Sequence, residues 1–155
     1  MGSVRAGAAV AGVMTSMLAL AACSSPAAQD VVPRQLSVGE CIDFGSYVTS
    51  ANGAVGGDGT SSLPQVDCGE AHDGEVYAVS TATDDVFDSD ALIAEVDTLC
   101  YDSFDEYVGT PFADSSLYYS IVYPTGSTWN QGDRMLACVL VAKQQTTGSL
   151  KGSGL

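Results

Sequence analysis

The sequence predicts an α+β domain in which a small antiparallel sheet of four to five strands carries one helix on one face. Short segments rich in β-branched and aromatic residues predict the strands, and one segment with a clear helical period predicts the helix. Four cysteines that suit two disulfides are the third observation. At 155 residues the chain has room for one such domain.

The first 22 residues have the layout of a signal peptide. Arg5 precedes an apolar stretch from Ala6 to Ala19, and Leu-Ala-Ala stands directly before Cys23. That order resembles the bacterial lipobox, which implies cleavage before Cys23 and a lipid on its sulfur. We therefore expect Cys23 to hold the mature protein on the extracytoplasmic face of the cell membrane. The alternatives are a signal peptide cut elsewhere and an uncleaved transmembrane helix.

The charge of the chain excludes some classes of partner. The formal net charge is −14, and the acidic residues are spread from Asp30 to Asp133, as is typical of a well-solvated surface. Nucleic acids and anionic membrane surfaces repel such a domain. We expect no nucleic-acid partner, and attachment to the membrane through the lipid anchor.

Apart from Cys23, the chain has four cysteines, an even set that suits an oxidising compartment. No two of them form a Cys-x-x-Cys pair, and one histidine cannot build a usual Cys/His zinc site. Three disulfide pairings are possible. We favour Cys41 with Cys68 and Cys100 with Cys138, because each bridge then joins segments that are close in sequence.

Small residues and prolines after Cys23 predict a flexible tether over residues 23–36, ahead of a folded domain over residues 37–144. The domain begins with a short strand in Ser37–Phe44. Glycines make residues 51–62 a surface loop, and its composition indicates no role. Two further strands, Gln65–Cys68 and Glu75–Ser80, follow around a turn.

The clearest helix in the chain runs from Ser89 to Gly109. Asp88 or Ser89 can cap its start, and Gly109 can end it. Cys100 lies on the apolar stripe, which places it well to tie the helix to a strand. The predicted stripe consists of Ile93, Val96, Cys100, Phe104 and Tyr107.

Two apolar segments after the helix, Leu117–Tyr123 and Met135–Ala142, predict central strands. Pro124, Gly126 and Gly132 mark the connection between them as a hairpin. The tail, residues 145–155, is polar and rich in glycine, so we expect it to be frayed.

Five stretches of these elements stand out by their motifs: VGECIDF, VDCGEAHDGEVYAV, LCYDSFDEYVG, YPTGSTWNQGDRMLAC and TGSLKG. Between Leu36 and Gly152 they resemble the septum formation family of exported, membrane-anchored bacterial proteins. The most specific parts are Cys68-x3-His72 before an acidic residue, Trp129 with Gly-Asp-Arg three positions later, and the Gly-Ser-Leu tail. The resemblance implies an envelope protein linked to formation of the division septum, without established catalytic activity.

His72 is the only histidine, and several carboxylates stand near it in sequence. A divalent cation would need three or more such groups to converge, which the alternation of side chains along a strand makes awkward. We therefore expect no metal, and a turn in which His72 hydrogen-bonds a carboxylate or a backbone group. The carboxylates considered with it are those of Asp67, Glu70, Asp73 and Glu75.

A second acidic group precedes the predicted helix. Its spacing does not match a calcium-binding loop, and the favoured role is to complement the dipole at the helix N-terminus. Its members are Asp84, Asp85, Asp88 and Asp90.

Nucleophilic catalysis lacks a constellation of residues in this sequence. No Gly-x-Ser-x-Gly elbow presents a serine to His72, and we expect every cysteine to be bridged or lipidated. We therefore expect no enzymatic activity and no cofactor.

Trp129 and Arg134 form the most suggestive exposed feature, because an aromatic ring beside an arginine can stack on a sugar or grip a partner protein. A structural role is favoured over binding, with Trp129 covering the Cys100–Cys138 bridge and Arg134 paired with a carboxylate. If the surface binds a partner, we expect Trp129, Arg134 and His72 to take part.

The function expected from these observations is that of a non-catalytic, lipid-anchored envelope protein that binds another envelope or division component. The alternative is a cell-surface module that binds a ligand or cation through His72 and its acidic neighbours. A hydrolase of wall material has little support, because no catalytic set of residues is visible.

Overall fold

The computed structural model describes residue 2, residues 35–44 and residues 63–155. The chain divides into two units, residues 1–30 and residues 31–155, and the elements below belong to the second. The predictions for the signal peptide, Cys23, the glycine-rich loop and most of the tether lie outside the described residues. Among the residues described, no helix is long and apolar enough to cross a membrane.

Five antiparallel strands form one sheet, in the order β2-β1-β3-β5-β4. Two long strands, β3 and β5, lie side by side in it, and β4 and β2 lie at its edges. The α+β class and the antiparallel sheet are confirmed. The strands are β1 (Cys41–Ile42), β2 (Gln65–Val66), β3 (His72–Thr81), β4 (Tyr118–Val122) and β5 (Met135–Thr146).

Strand β5 is apolar on both faces because both faces are covered. One buried cluster, which we call the helix-side cluster, includes the inner side of the long helix and three residues of β5, Leu136, Cys138 and Leu140. Ala137 and Val139 belong to a second cluster on the opposite face of the sheet. A strand covered on both faces has no polar side, which explains the continuous apolar run.

Residues around β1 cover that second face. Leu36, Ile42, Phe44 and Leu63 are buried there against Val139 and its neighbours. The main-chain N–H of Leu36 also donates to the Met135 sulfur at 3.2 Å. Leu36, the last residue of the predicted tether, is therefore part of the core.

The long helix, α1 (Ser89–Val108), begins and ends as predicted. The Asp88 side chain accepts from the main-chain N–H groups of Asp90 and Ala91, and Gly109 ends the helix in the left-handed region at φ 83°. In the apolar stripe, Leu92 takes the place predicted for Ile93: Leu92 is 2% exposed and Ile93 is 36% exposed. Leu92 lies four residues before Val96 and so continues the row.

Both favoured disulfides are confirmed. Cys41 on β1 is bonded to Cys68, which follows β2, and Cys100 on α1 is bonded to Cys138 on β5. The second bridge ties the helix to the sheet. The first ties two neighbouring strands together.

One prediction about strand placement is wrong, because β4 is an edge strand and not a central one. Its Tyr119 and Ile121 side chains pack against the helix-side cluster. The two strands predicted around a turn both exist, and β1 lies between them in the sheet. The predicted hairpin connection is confirmed, since β4 and β5 pair as antiparallel neighbours, and it contains a short helix, α2 (Gly126–Asn130), that begins at a Thr125 capping box.

The prediction of a frayed tail is wrong. Strand β5 continues to Thr146, and Leu150 is buried in the helix-side cluster. The main-chain N–H of Gly152 donates to the Tyr107 carbonyl at 2.8 Å, and that of Gly154 to the Val108 carbonyl at 2.9 Å. The last carbonyls of a helix have no partner within it, so this polar segment is ordered by satisfying them.

Candidate functional site

Strand β3 begins with an irregular register that brings His72 and Glu75 together. Residues three apart on a regular strand point to opposite faces. The pairing of β3 with β5 shifts between His72 and Gly74, which interrupts that alternation. Glycine is needed at 74 because a Cβ there would lie 2.5 Å from the Phe44 ring. On the other side of β3, Cys41 pairs directly with Glu75.

These three residues form a buried cluster. The Cys41 sulfur, a ring nitrogen of His72 and a carboxylate oxygen of Glu75 all lie within 4.8 Å of one another. His72 and Glu75 are 0% exposed, and Cys41 is 1% exposed. The Cys41 sulfur is bonded to Cys68, so in this state it is a disulfide sulfur and not a thiolate.

Only one of the two His72 ring nitrogens is hydrogen-bonded among the described residues. Nδ1 donates to the Glu70 carbonyl at 2.9 Å, which is the kind of backbone bond expected from the sequence. Nε2 is buried and has no hydrogen-bond partner in the described part of the chain. A buried polar atom without a partner is uncommon and calls for an explanation.

The Glu75 carboxylate joins three parts of the domain. One oxygen accepts from the Tyr107 hydroxyl at 2.7 Å and from the Ser149 hydroxyl at 2.6 Å. The other accepts from the main-chain N–H of Leu150. Burial, reinforced by the bond to Glu75, raises the pKa of Tyr107. One buried carboxylate of β3 therefore joins this strand to helix α1 and to residues 147–155 after β5, which we call the C-terminal segment.

The C-terminal segment also contacts the backbone of Cys68. The main-chain N–H of Gly148 donates to the Cys68 carbonyl at 2.5 Å. The Gly-Ser-Leu motif of residues 148–150 and the Cys68-x3-His72 motif thus lie beside each other. The sequence predicts a turn for one motif and a frayed tail for the other, and it contains no signal of this contact.

The other acids near His72 are engaged elsewhere or exposed. Asp67 accepts from the Gly69 N–H at 2.7 Å, and Asp73 accepts from the Phe44 N–H at 2.5 Å. Glu70 is exposed and contributes its carbonyl to His72. Of the four carboxylates considered with His72, only that of Glu75 belongs to the buried cluster within the described residues.

A groove of about 640 Å³ opens beside the Cys41–Cys68 bridge. Both cysteines line it, together with the acidic residues Glu40, Asp67 and Glu70. Cys68 is half-buried, whereas Cys41 lies beneath the surface. Cys68 is therefore the more exposed end of the bridge, whereas the Cys41 sulfur lies within 4.8 Å of a His72 ring nitrogen and a Glu75 carboxylate oxygen.

Trp129 belongs to the core, so its predicted exposure is wrong. The ring is 6% exposed and lies in the helix-side cluster with Cys100 and Cys138. The Arg134 guanidinium covers it at 3.5 Å from the ring centroid and donates to the carbonyls of Trp129 and Asp133. The favoured structural role of Trp129 is confirmed, although among the described residues the Arg134 guanidinium donates to these two backbone carbonyls and not to the expected carboxylate.

An exposed apolar pair extends this corner of the molecule. Phe87 packs on Trp129 with ring centroids 5.7 Å apart, and Phe87 and Val86 are 37% and 76% exposed. The two residues follow Asp84 and Asp85, which are also exposed. We call Val86 and Phe87 the apolar tip. Sequence reasoning considered only the acids of this turn, although two adjacent apolar residues among four acids were a visible signal.

Two members of the acidic group take the role predicted for them at the N-terminus of α1. Asp88 caps the helix and Asp90 lies in its first turn, where negative charge complements the helix dipole.

A comparison with protein families gives one match. The family model described as septum formation matches residues 53–154, which is more than half of the chain. The matched range contains Cys68, His72, Glu75, the apolar tip and the C-terminal segment. No curated protein and no solved structure matches the chain.

Proposed function

This chain belongs to the septum formation family, and from that premise we propose that it serves cell division as a binding protein of the envelope. The family supports a role related to division. The non-catalytic nature, the lipid anchor and the docking surface are our proposal. The single observation that carries the binding surface is the exposed apolar tip, whose Phe87 ring packs on Trp129.

The apolar tip has the properties of a docking element. Val86 is the most exposed of the large apolar side chains that the structure describes, and burying it on a partner removes that surface from water. Phe87 is held from below by the Trp129 ring, and Trp129 is held by Arg134. A side chain that is ordered before binding loses less conformational freedom when the partner docks.

The charges around the apolar tip specify the chemistry of the partner. Asp84 and Asp85 are exposed directly before Val86, and the chain as a whole carries a formal charge of −14. Complementary charge favours correct encounter and disfavours other partners. We therefore propose a protein partner with an apolar pocket bordered by lysine or arginine.

Anchoring through Cys23 would limit where this surface acts. The folded domain is already packed at Leu36, so residues 24–35 separate it from the lipid. Fully extended, such a segment spans roughly 40 Å. The domain would therefore bind partners close to the outer surface of the cell membrane. Mass spectrometry of the mature N-terminus tests this point, since cleavage at any other bond or an unmodified Cys23 contradicts it.

The cation-binding alternative is not favoured for the oxidised protein. The carboxylates of Asp67 and Asp73 accept from main-chain N–H groups, and the Cys41 sulfur is bridged. We expect millimolar calcium or zinc to leave the thermal midpoint of the oxidised protein unchanged, because only a ligand that binds the folded state raises it.

Site-specific photocrosslinking in intact cells tests the docking surface. A photoreactive residue at position 86 should capture a distinct protein partner, and the same residue at position 38 should not. Val38 is the matched control, because it is also an exposed valine, at 54%, but precedes β1. The Val86→Ser variant should lose the partner without losing stability. Equal capture from both positions, or no capture from position 86, contradicts the proposal.

A further inference from the structure

The unpartnered nitrogen of His72 points to a ligand that is absent while the first disulfide is closed. Nδ1 faces a carbonyl oxygen, which only accepts, so Nδ1 carries a proton. In the neutral ring Nε2 then bears a lone pair, and it is buried with no donor among the described residues. The neighbouring Cys41 is a disulfide sulfur, which has no proton to donate and is no thiolate ligand.

We propose that opening the Cys41–Cys68 disulfide creates a zinc site whose protein ligands are the Cys41 thiolate, His72 Nε2 and the Glu75 carboxylate. These three residues already converge within 4.8 Å and are buried. Thiolate, imidazole and carboxylate are the ligands that Zn²⁺ takes, and a water molecule would complete the tetrahedron.

The reduction step follows from the exposure of the bridge. A thiolate of a small dithiol attacks the Cys68 sulfur from the groove, which breaks the S–S bond and releases Cys41 as a thiolate. The second thiol of the dithiol then attacks the mixed disulfide and releases Cys68. The dithiol is oxidised to its disulfide, and the two cysteines are reduced by the same two electrons.

The distances suit zinc once the bridge has opened. With Zn–S near 2.3 Å and Zn–N and Zn–O near 2.0 Å, ligand atoms around a tetrahedral zinc lie roughly 3.5 Å apart. The present 4.8 Å limit requires a contraction of about 1 Å, well within the reach of a side-chain rotation. Cys41 gains that freedom when it is released from Cys68.

The surroundings of the three ligands match those of a metal site. A histidine that binds metal usually donates its other ring N–H to a carbonyl or carboxylate, as Nδ1 does to Glu70. Glu75 is oriented by hydrogen bonds from the Tyr107 and Ser149 hydroxyls, as carboxylates that bind metal usually are. One thiolate and one carboxylate balance the charge of Zn²⁺, so the buried site is neutral.

A matched pair of cysteine variants tests the proposal in the full chain, with Cys23→Ser in every protein so that no other unpaired thiol is present. Cys68→Ser and Cys41→Ser both remove the first disulfide. Only Cys68→Ser leaves the Cys41 sulfur beside His72 and Glu75. Zinc affinity is measured by competition with a chromophoric chelator, and bound Co²⁺ reports a thiolate ligand through its absorption spectrum.

We expect Cys68→Ser to bind one Zn²⁺ per chain, and the oxidised parent and Cys41→Ser to bind none. Adding His72→Ala to Cys68→Ser should weaken zinc binding by about 100-fold or more, since loss of a supporting partner alone costs roughly 10- to 100-fold. Equal affinity of the two cysteine variants, or a folded Cys68→Ser that binds no zinc, overturns the proposal.

The parent protein supplies a second measurement that does not depend on how the variants fold. Mild dithiol treatment should open the first bridge, allow one Zn²⁺ to bind, and make reoxidation slower in the presence of zinc. If the first bridge does not open before the domain unfolds, or if it opens and no zinc binds, the proposal is wrong.

Discussion

The Cys100–Cys138 bridge joins α1 to β5 with both cysteines at 0% exposure, whereas the Cys41–Cys68 bridge opens on a groove at the β1–β2 side of the sheet. The Cys100–Cys138 bridge belongs to a cluster of apolar residues such as Val96, Phe104 and Leu136. The other has a buried imidazole and a buried carboxylate beside it. The buried bridge is shielded from reagents in the folded domain, whereas the bridge that lines the groove is the more open to thiol–disulfide exchange.

Each bridge also has a buried tyrosine near it. The Tyr77 hydroxyl donates to the Cys100 carbonyl at 2.8 Å, and the Tyr77 ring packs edge-on against Phe104. The Tyr107 hydroxyl donates to Glu75, opposite Cys41. The two regions differ in what the tyrosine bonds: a backbone carbonyl that has no charge in one, and a titratable carboxylate in the other.

The largest expected difference is in the rate of reduction. The Cys100–Cys138 bridge is inaccessible in the folded domain, so its reduction requires unfolding, which costs at least about 5 kcal/mol in a typical domain. Under mild dithiol we expect it to react roughly 10³-fold more slowly than the Cys41–Cys68 bridge. Timed alkylation followed by peptide mass spectrometry measures both rates. Reduction of both bridges at one rate would abolish the distinction between the two regions.

Removal of each bridge should come next in size. The Cys100–Cys138 bridge spans a sequence separation of 38 residues, and the Cys41–Cys68 bridge spans 27. Loop-closure entropy alone predicts that their removal lowers the free energy of unfolding by about 4 and about 3.5 kcal/mol, respectively. The double variant Cys100→Ala, Cys138→Ala should lose more unfolding free energy than this entropy predicts, because it also removes buried sulfur from the core. Cys41→Ala with Cys68→Ala is the matched control. Urea denaturation measures both, and a larger loss in the control pair would contradict the structural role assigned to the buried bridge.

The smallest expected effect is a pH dependence of stability from the two tyrosines. Burial raises the pKa of Tyr77 and Tyr107 above 10.0, the ordinary value for a tyrosine. Because the folded state holds the proton more tightly, their contribution is fully present below pH 10 and is lost as the pH rises above it. Each should remove roughly 1 kcal/mol of unfolding free energy between pH 9 and 11.

Single variants separate the two tyrosines. Tyr77→Phe and Tyr107→Phe should each reduce the alkaline slope of the unfolding free energy, measured by urea titration at several pH values. Glu75→Gln should weaken the slope that belongs to Tyr107, because Glu75 contributes to its raised pKa, and should leave that of Tyr77. An identical response of both tyrosines to Glu75→Gln would show that the two regions are not independent.

Several elements could be predicted because their signals are local. The helix from Ser89 to Val108 has an apolar period, an Asp88 cap and a terminal Gly109, all of which lie within a few turns of one another. The strands of the sheet have β-branched and aromatic composition, and an even set of cysteines suits two bridges. The stretches that resemble the septum formation family are also short and local.

The candidate site could be predicted only in part. The sequence pointed to His72 and to acids near it, but it also indicated that strand alternation kept them apart. A shifted register between His72 and Gly74, made possible by the missing side chain at Gly74 under Phe44, brought His72 and Glu75 together. That register depends on β5 and β1, which are distant in the sequence.

The sequence by itself predicted the long helix, the strands, an even set of cysteines and the resemblance to the family, but left three disulfide pairings open. Only the tertiary structure decided that Trp129 is buried under Arg134, that the glycine-rich tail is ordered, and that Cys41, His72 and Glu75 meet. The physical reason is that periodicity and capping act over a few residues, whereas burial and register are set by residues far apart in the chain. Leu150 shows this most simply: its backbone N–H finds a partner in Glu75, which lies 75 residues earlier.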